Sequence, residues 1–507
     1  MQPSLRKLGR RAFTRTDEHS GFNLLQAAVL EGNYDTLEKA SVHLESFVEE
    51  MNCRTTGAES AADILSVRNK TIWSTFGAAA ILSVEYVNIW RTWRTCRELD
   101  EGEETLEVSK GLFEKIFEMY KKFLETDVTL TMLHSCVKGN DVEMAIELVL
   151  NYGMDPNVPA EINITPLVWA STAASSLSVK TLIDLGADVN AKAFVDKSFS
   201  FCGSTALHSA IHGNNRAVVN LLLANKVDAS ISDQEGNTAL HSSTSKQLSD
   251  ISQLLINAGC KINDSNGNGE TPLFSAIRGN NKAHVQLLLK NNADANFKNK
   301  SGNTPLHIST RKRFFNISQL LVDSGCEVNG IDFKGETPLY SAVCGKNIAH
   351  VHLLLKNNAD ANLTDSFRRS PLHISTSKGF SDISQLLIDS ACEVNGIDFM
   401  GETPLYSAVC GNNIADVQLL LKNNADANFQ DSWRNTLLHI STGKGFSDIS
   451  QLLIDAGCKI NGSNDEGETP LYSAIRGNNK ADVQLLLKNN ADANFQDKRG
   501  NTPLHIS

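Results

Sequence analysis

Apolar residues over most of this chain recur in short, regular clusters rather than in long runs. From Thr205 onward the same opening returns at 205, 238, 271, 304, 337, 370, 403, 436, 469 and 502, always 33 residues apart. It reads Thr (once Ser), then Pro, Ala or Leu, then Leu, then His, Tyr or Phe. Looser copies open at Thr131 and Thr165, and a degenerate one at Asn23. The step from 165 to 205 is 40, seven more than the period, which predicts an enlarged loop near Lys192–Ser200. Within a full copy, Thr-Pro predicts a helix start: Thr serves as N-cap, and Pro takes the first helical position, where its missing N–H costs nothing. A short helix follows, Leu405–Val409 in one copy, and Gly or Asn breaks it. The next helix carries a triple apolar stripe such as Leu419-Leu420-Leu421. Asn-Ala-Asp-Ala-Asn or Gly-Cys-Lys-Ile-Asn then leads through a polar turn to the next Thr. Neither helix is long enough to be stable alone, so neighbouring copies must cover its apolar face.

A second period lies over the first. Copies alternate between Thr-Pro-Leu-Tyr-Ser-Ala (with Phe at 274) and Thr-Pro-Leu-His-Ile-Ser-Thr, giving a unit of 66 residues that duplication of a two-repeat block explains. The two types leave the second helix differently: Asn292, Asn358, Asn424 and Asn490 in one, Gly259, Gly325 and Gly457 in the other. Both residue types tolerate the left-handed backbone that ends a helix. Ala391 is the exception, and the same geometry there costs roughly 1 kcal/mol.

This pattern over 131–507 resembles the ankyrin repeat family, and 20–50 resembles it weakly. The resemblance implies an all-α solenoid in which a β-turn and two antiparallel helices form each repeat. It implies no catalysis and no cofactor, with protein partners held in a groove between finger-like turns and first helices. It also implies that His134, His208, His241, His307, His373, His439 and His505, at the fourth place of the opening, bond neighbouring repeats together. In that family asparagines placed like Asn296, Asn362, Asn428 and Asn494 can be hydroxylated; here the turn itself gives them a structural role.

Composition narrows the rest. The chain has 507 residues, 41% hydrophobic and 21% charged, with a net charge of −11. This excludes a disordered chain, a collagen and a polytopic membrane protein. Residues 1–130 hold 16 Lys and Arg against 21 Asp and Glu, and the remainder 31 against 37, so neither part binds nucleic acid by charge alone. Ten cysteines are too few for a disulfide scaffold, and no Cys/His spacing suits zinc. Cys260, Cys326, Cys392 and Cys458, spaced by 66, read as small buried hydrophobes, whereas Cys344 and Cys410 lie on first helices. No phosphate loop, nucleophile elbow, zinc-protease or kinase motif occurs. Sequons such as those at Asn163, Asn316, Asn362 and Asn461 are near chance in an Asn-rich chain.

Because copies of one type are nearly identical, their differences mark positions that packing leaves free. Most turns before the Thr are polar, as in Gln234-Glu235, Asp465-Glu466 and Lys498-Arg499. The central ones carry Phe333, Phe367 with Arg368 and Arg369, Phe399 with Met400, and Trp433 with Arg434. Nearby, Arg311-Lys312-Arg313-Phe314-Phe315 replaces Ser377-Lys378-Gly379-Phe380-Ser381. Exposed aromatics and Arg on adjacent fingers have the composition of a binding hot spot. The candidate partner-binding residues are Phe367, Arg368, Trp433, Arg434, Phe333, Phe399, Met400, Arg313 and Phe314. The alternative is that the aromatics fold back onto their finger stems, which suits the Ile-Asp-Phe context of Phe333 and Phe399.

The domain reading is a basic terminus at 1–20, either a solvated tail or a weak targeting signal, then a helical region at 21–130, then the repeat array. Glu104–Glu125 predicts an amphipathic helix, and the apolar stretch Ile72–Val84 is too short for the roughly 20 residues a bilayer needs. The region at 21–130 is either a degenerate cap or a separate helical domain. The array stops inside a first helix at Ser507, which reads as a truncated repeat in a fragment. The expected function is a non-enzymatic interaction scaffold, monomeric and cytoplasmic or nuclear, with no nucleic acid, membrane or metal partner. Alternatives are the recognition part of a larger adaptor (a ubiquitin-ligase subunit, kinase or channel) and a secreted toxin.

Overall fold

The computed structural model describes residues 132–138, 140–160, 164–173, 175–193 and 204–506. The expected features at 1–130, the degenerate copy near Asn23 and most of the enlarged loop lie outside these. The chain divides into two compact units, Met1–Cys260 and Lys261–Ser507.

In the second unit short helices pair in regular succession. Pro272–Arg278 pairs with Lys282–Lys290, Pro305–Arg311 with Phe315–Asp323, Pro338–Cys344 with Ile348–Lys356, and Pro371–Ser377 with Ser381–Asp389. Pro404–Cys410 then pairs with Ile414–Lys422, Leu437–Lys444 with Ser447–Asp455, and Pro470–Arg476 with Lys480–Lys488, before Pro503–Ile506. The first unit holds the same arrangement from Met132–Lys138 with Val142–Leu150 to Ala239–Ser245 with Ser249–Asn257. Among the described residues there are no strands, only the isolated bridges Lys192 to Thr205 and Gln430 to Thr436.

Sequence chemistry sets each boundary. Thr271, Thr304, Thr337, Thr403 and Thr469 are extended N-caps with Pro at the first turn, as the opening motif predicts. The second helix ends in left-handed backbone at Asn292, Asn358, Asn424 and Asn490, at Gly325 and Gly457, and at Ala391 with φ +61°.

The core is the apolar stripe shared by successive pairs. In one repeat Leu405, Ala408 and Val409 of the first helix and Val417 and Leu420 of the second are buried. Each large side chain so buried contributes about 1.5–3 kcal/mol, and packing within the pair together with contact with the neighbouring pairs removes it from water. Of the triple stripe Leu419-Leu420-Leu421, the middle residue is fully buried and its neighbours are half-buried.

Two polar ladders hold successive repeats in register. Asn296 Oδ1 accepts from the Glu327 amide at 2.7 Å, Asn362 from Glu393 at 2.7 Å and Asn428 from Lys459 at 2.9 Å. The fourth-place histidines form the other: His307 Nε2–H donates to the Glu336 carbonyl at 2.9 Å, His373 to Glu402 at 3.1 Å and His134 to Ile164 at 2.8 Å. Where Tyr replaces His, Tyr340 donates to Asp365 Oδ2 at 2.8 Å and Tyr472 to the Phe495 carbonyl at 2.8 Å. Cys326, Cys392 and Cys458 are buried, and burial pushes the latter two thiols up to about 11, far from a reactive thiolate.

Candidate protein-binding surface on the finger tips

Each finger is a tight turn held by an aspartate or asparagine. Asp365 Oδ1 accepts from the amides of Phe367 and Arg369 at 2.9 Å each, and Asp431 Oδ1 from those of Trp433 and Asn435 at 2.9 and 2.8 Å. Successive tips are also joined by backbone bonds. The Phe333 amide donates to the Ser301 carbonyl at 3.2 Å, Ser366 to Lys334 at 2.7 Å, Phe399 to Phe367 at 2.8 Å and Asp465 to Trp433 at 3.0 Å. The tips from Ser301 to Phe399 are thereby linked in one row and the Trp433 tip is linked to the Asp465 tip, while among the described residues no backbone bond of this kind joins the Met400 and Trp433 tips.

On that row the central apolar residues point into solvent: Phe333 is 77% exposed, Phe399 72%, Met400 67%, Trp433 67% and Phe367 60%. The fold-back alternative for Phe333 and Phe399 is corrected here, since these two are the most exposed of the set. The Phe333 ring only brushes the preceding tip, where a Cβ on Gly302 would stand 2.9 Å from its Cδ1.

The two arginines of the Phe367 finger differ. Arg369 donates from Nη2 and Nε to Asp365 Oδ2 at 2.7 and 3.0 Å and lies over the Phe367 ring, 5.0 Å from its centroid. Burial would raise the Asp365 carboxyl, but bonds from Arg369 and the Tyr340 hydroxyl outweigh it and hold it below the ordinary range. Arg369 thus holds Phe367 in place. Arg368 is exposed beside it, in left-handed backbone with φ +59°, and Arg434 repeats this with φ +60°. The same place elsewhere holds Gly236, Gly269, Gly302, Gly335, Gly401, Gly467 and Gly500, all with positive φ. This strain was missed from the sequence, although the run of glycines was its signal.

Of the remaining candidates, Arg313 is exposed and donates to the Gly345 carbonyl at 2.5 Å. Phe314 is half-buried at the helix-capping place that Phe380 and Phe446 also occupy. Its neighbour Phe315 is the exposed one, edge-on to His350 with ring centroids 5.6 Å apart.

Sequence reading also missed a buried polar line on the second helices. His350 and Asp416 hold equivalent, fully buried places. Ser318 Oγ donates to Ser309 Oγ at 2.8 Å, so His350 meets Ser318 at 3.0 Å through Nε2–H. Asp416 Oδ2 accepts from Ser381 at 3.3 Å, and burial raises its carboxyl. Among the described residues no cluster of His, Cys, Asp or Glu is arranged to hold a metal, and no helix is long and apolar enough to cross a membrane.

Comparison with known proteins agrees with this architecture. A family model described as ankyrin repeats (three copies) matches residues 192–266, 250–332, 273–365, 339–431 and 412–497. An ankyrin repeat protein of Fowlpox virus (strain NVSL) is 31% identical over 108 residues, which are 21% of this chain and 30% of that protein. The chain therefore covers less than a third of that relative's length. With helix pairs every 33 residues, Thr-Pro caps, histidine and asparagine ladders between repeats, and a family match across more than half its length, the chain belongs to the ankyrin repeat family.

Proposed function

We propose that this chain is a non-enzymatic recognition scaffold that holds a protein partner on the tips of its central fingers and the adjacent first helices. Ankyrin repeats are protein-interaction modules, so the coarse assignment follows from the family; the surface and residues are our reading. One observation carries it. Four consecutive tips expose Phe333, Phe367, Phe399 with Met400, and Trp433, where sister copies have Gly267, Ser301, Asp465 and Glu235. A chain that keeps several large apolar groups in water at positions where its own copies do without them is serving something other than packing. Arg368 and Arg434 supply directional donors beside the rings, and Arg313 extends the surface toward the first helices, with Phe315 as the exposed ring there in place of the half-buried Phe314. Since the tips from Phe333 to Phe399 are bonded to one another, and the Trp433 tip to the Asp465 tip, before any partner arrives, little ordering cost falls on binding.

The test is affinity capture with quantitative mass spectrometry, comparing wild type with Phe367→Ser/Trp433→Ser after circular dichroism shows equal helicity. Serine already stands at the equivalent Ser301, so the variant should fold. Loss of a specific partner supports the surface, and an unchanged partner set refutes it. Recovery of ligase, kinase or channel subunits would identify the scaffold as the recognition part of a larger machine.

A further inference from the structure

The duplicated units differ in charge. Residues 271–336 carry nine Lys and Arg against five Asp and Glu, a net +4. Residues 337–402 carry five against seven, net −2, and 403–468 four against eight, net −4. The units are otherwise nearly identical, so the extra cations stand where packing does not demand them. Lys300 replaces Ser366 and Ser432, Arg311 replaces Ser377 and Gly443, and Arg313 replaces Gly379 and Gly445.

The fold gathers these cations. Between the tips at 266–270 and 299–303 and the ends of helices Pro272–Arg278 and Pro305–Arg311 runs an open groove of about 440 Å³ lined by Arg278, Lys300, Arg311 and Lys312. At about 30 Å³ per water it has room for a segment of chain rather than a single ion. Its one carboxylate, Glu270, is buried and already engaged by Arg278 Nε at 2.9 Å and Asn299 Nδ2 at 3.2 Å. Arg311 spends one N–H on Asn303 Oδ1 at 3.0 Å and keeps its other donors. Lys300 and Lys312 are exposed, and no carboxylate of the described residues forms an ion pair with either. Next along the array, Arg313 and Lys346 line a second depression.

We infer that this groove takes an Asp- and Glu-rich extended segment of the protein partner, an inference that rests on the recognition-scaffold reading and adds the partner's chemistry to it. The segment lies over Lys300–Arg313, and apolar residues following it reach the exposed rings from Phe333 to Trp433. The fall from +4 to −4 along the array fixes its direction, because an acidic segment laid the other way meets a net negative unit. The same fall disfavours a nucleic acid, whose phosphates continue past the few cations and need many contacts.

The test uses the full chain and a fluorescein-labelled octaglutamate peptide, read by fluorescence anisotropy at about 50 mM salt, where exposed charges are weakly screened. Two variants are compared. Lys300→Ser/Arg311→Ser/Arg313→Gly installs residues that sister copies already carry. Lys356→Gln/Lys422→Gln/Lys488→Gln removes three cations from the ends of second helices. The expected result is a dissociation constant raised about tenfold by the first variant and less than twofold by the second. The inference is overturned by no binding, by equal losses in both variants, or by tighter binding of a labelled single-stranded oligonucleotide. The scaffold reading fails separately, by unchanged capture in Phe367→Ser/Trp433→Ser, so each failure can be recognised on its own.

Discussion

His439 joins two repeats through both ring nitrogens: Nε2–H donates to the Glu468 carbonyl at 2.8 Å, and Nδ1 accepts from the Thr436 amide at 3.0 Å. A carbonyl can only accept, so Nε2 carries the proton, and protonating Nδ1 would set two donors face to face. Burial pushes His439, His373, His307 and His208 below the ordinary histidine range, and His134 down to about 4. The unfolded chain therefore takes up protons first as pH falls. The stability these residues contribute is complete above about pH 6.5 and is lost below it, toward the folded-state value. For His134 at pH 5 the loss is about 2 kcal/mol. Urea midpoints should fall between pH 7.5 and 5; an unchanged midpoint would show that the histidines titrate freely.

Asp416 pulls the other way. Its Oδ1 is buried without a hydrogen-bond partner, and its raised carboxyl means that the folded state holds a proton the unfolded chain releases. Its contribution is therefore complete at acid pH, below the unfolded carboxylate range, and is lost as pH rises through the folded value. Asp416→Asn should stabilise the chain by about 1 kcal/mol at pH 7.5, with the gain shrinking toward pH 4. A gain equal at both pH values would locate the effect in packing rather than charge.

The finger ladder separates two glycines that look alike in sequence. Both have φ near +79°, at Gly302 φ +78° and at Gly401 φ +79°. A Cβ at Gly302 would stand 2.6 Å from the Phe333 nitrogen, which is bonded to Ser301, whereas Gly401 has nothing within 4 Å. Gly302→Ala should cost about 2–3 kcal/mol, combining backbone strain with a broken inter-finger bond, and Gly401→Ala about 1 kcal/mol. Equal costs in thermal melts would mean that the ladder does not hold the tips together.

These contrasts mark what the sequence could carry. Thr-Pro caps, the Asn and Gly exits and the strained Ala391 were legible because one residue type in one backbone state suffices to read them. Ring exposure at Phe333 and Phe399 was not, since Ile-Asp-Phe is compatible with either rotamer. His350 and Asp416 were missed because a polar residue on a helix ordinarily faces water, and only the serines Ser318 and Ser381 from the preceding repeat show that these face inward. Of the groove cations only the run Arg311-Lys312-Arg313 stood out in the sequence as a variable segment; its convergence with Arg278 and Lys300 depends on spacing between repeats that only the fold supplies.

Arg368 and Ala391 share the same backbone state, φ +59° and +61°, but sit in different surroundings. Ala391 ends a second helix, where its sister copies have Gly325 and Gly457. Arg368 stands at a finger tip between exposed Phe367 and Phe399. Glycine relieves the left-handed strain at either site but adds unfolded-state entropy, leaving a net gain of about 0.5 kcal/mol for each. Ala391→Gly should therefore raise the urea midpoint and leave partner capture unchanged. Arg368→Gly should raise the midpoint by a similar amount and weaken capture severalfold, and Arg434→Gly should behave likewise. That divergence is expected if strain is kept at the tips to hold a donor in place for the partner. If Arg368→Gly raises stability and capture stays intact, the tip arginines are tolerated strain with no role in recognition, and the aromatic rings alone would carry the surface.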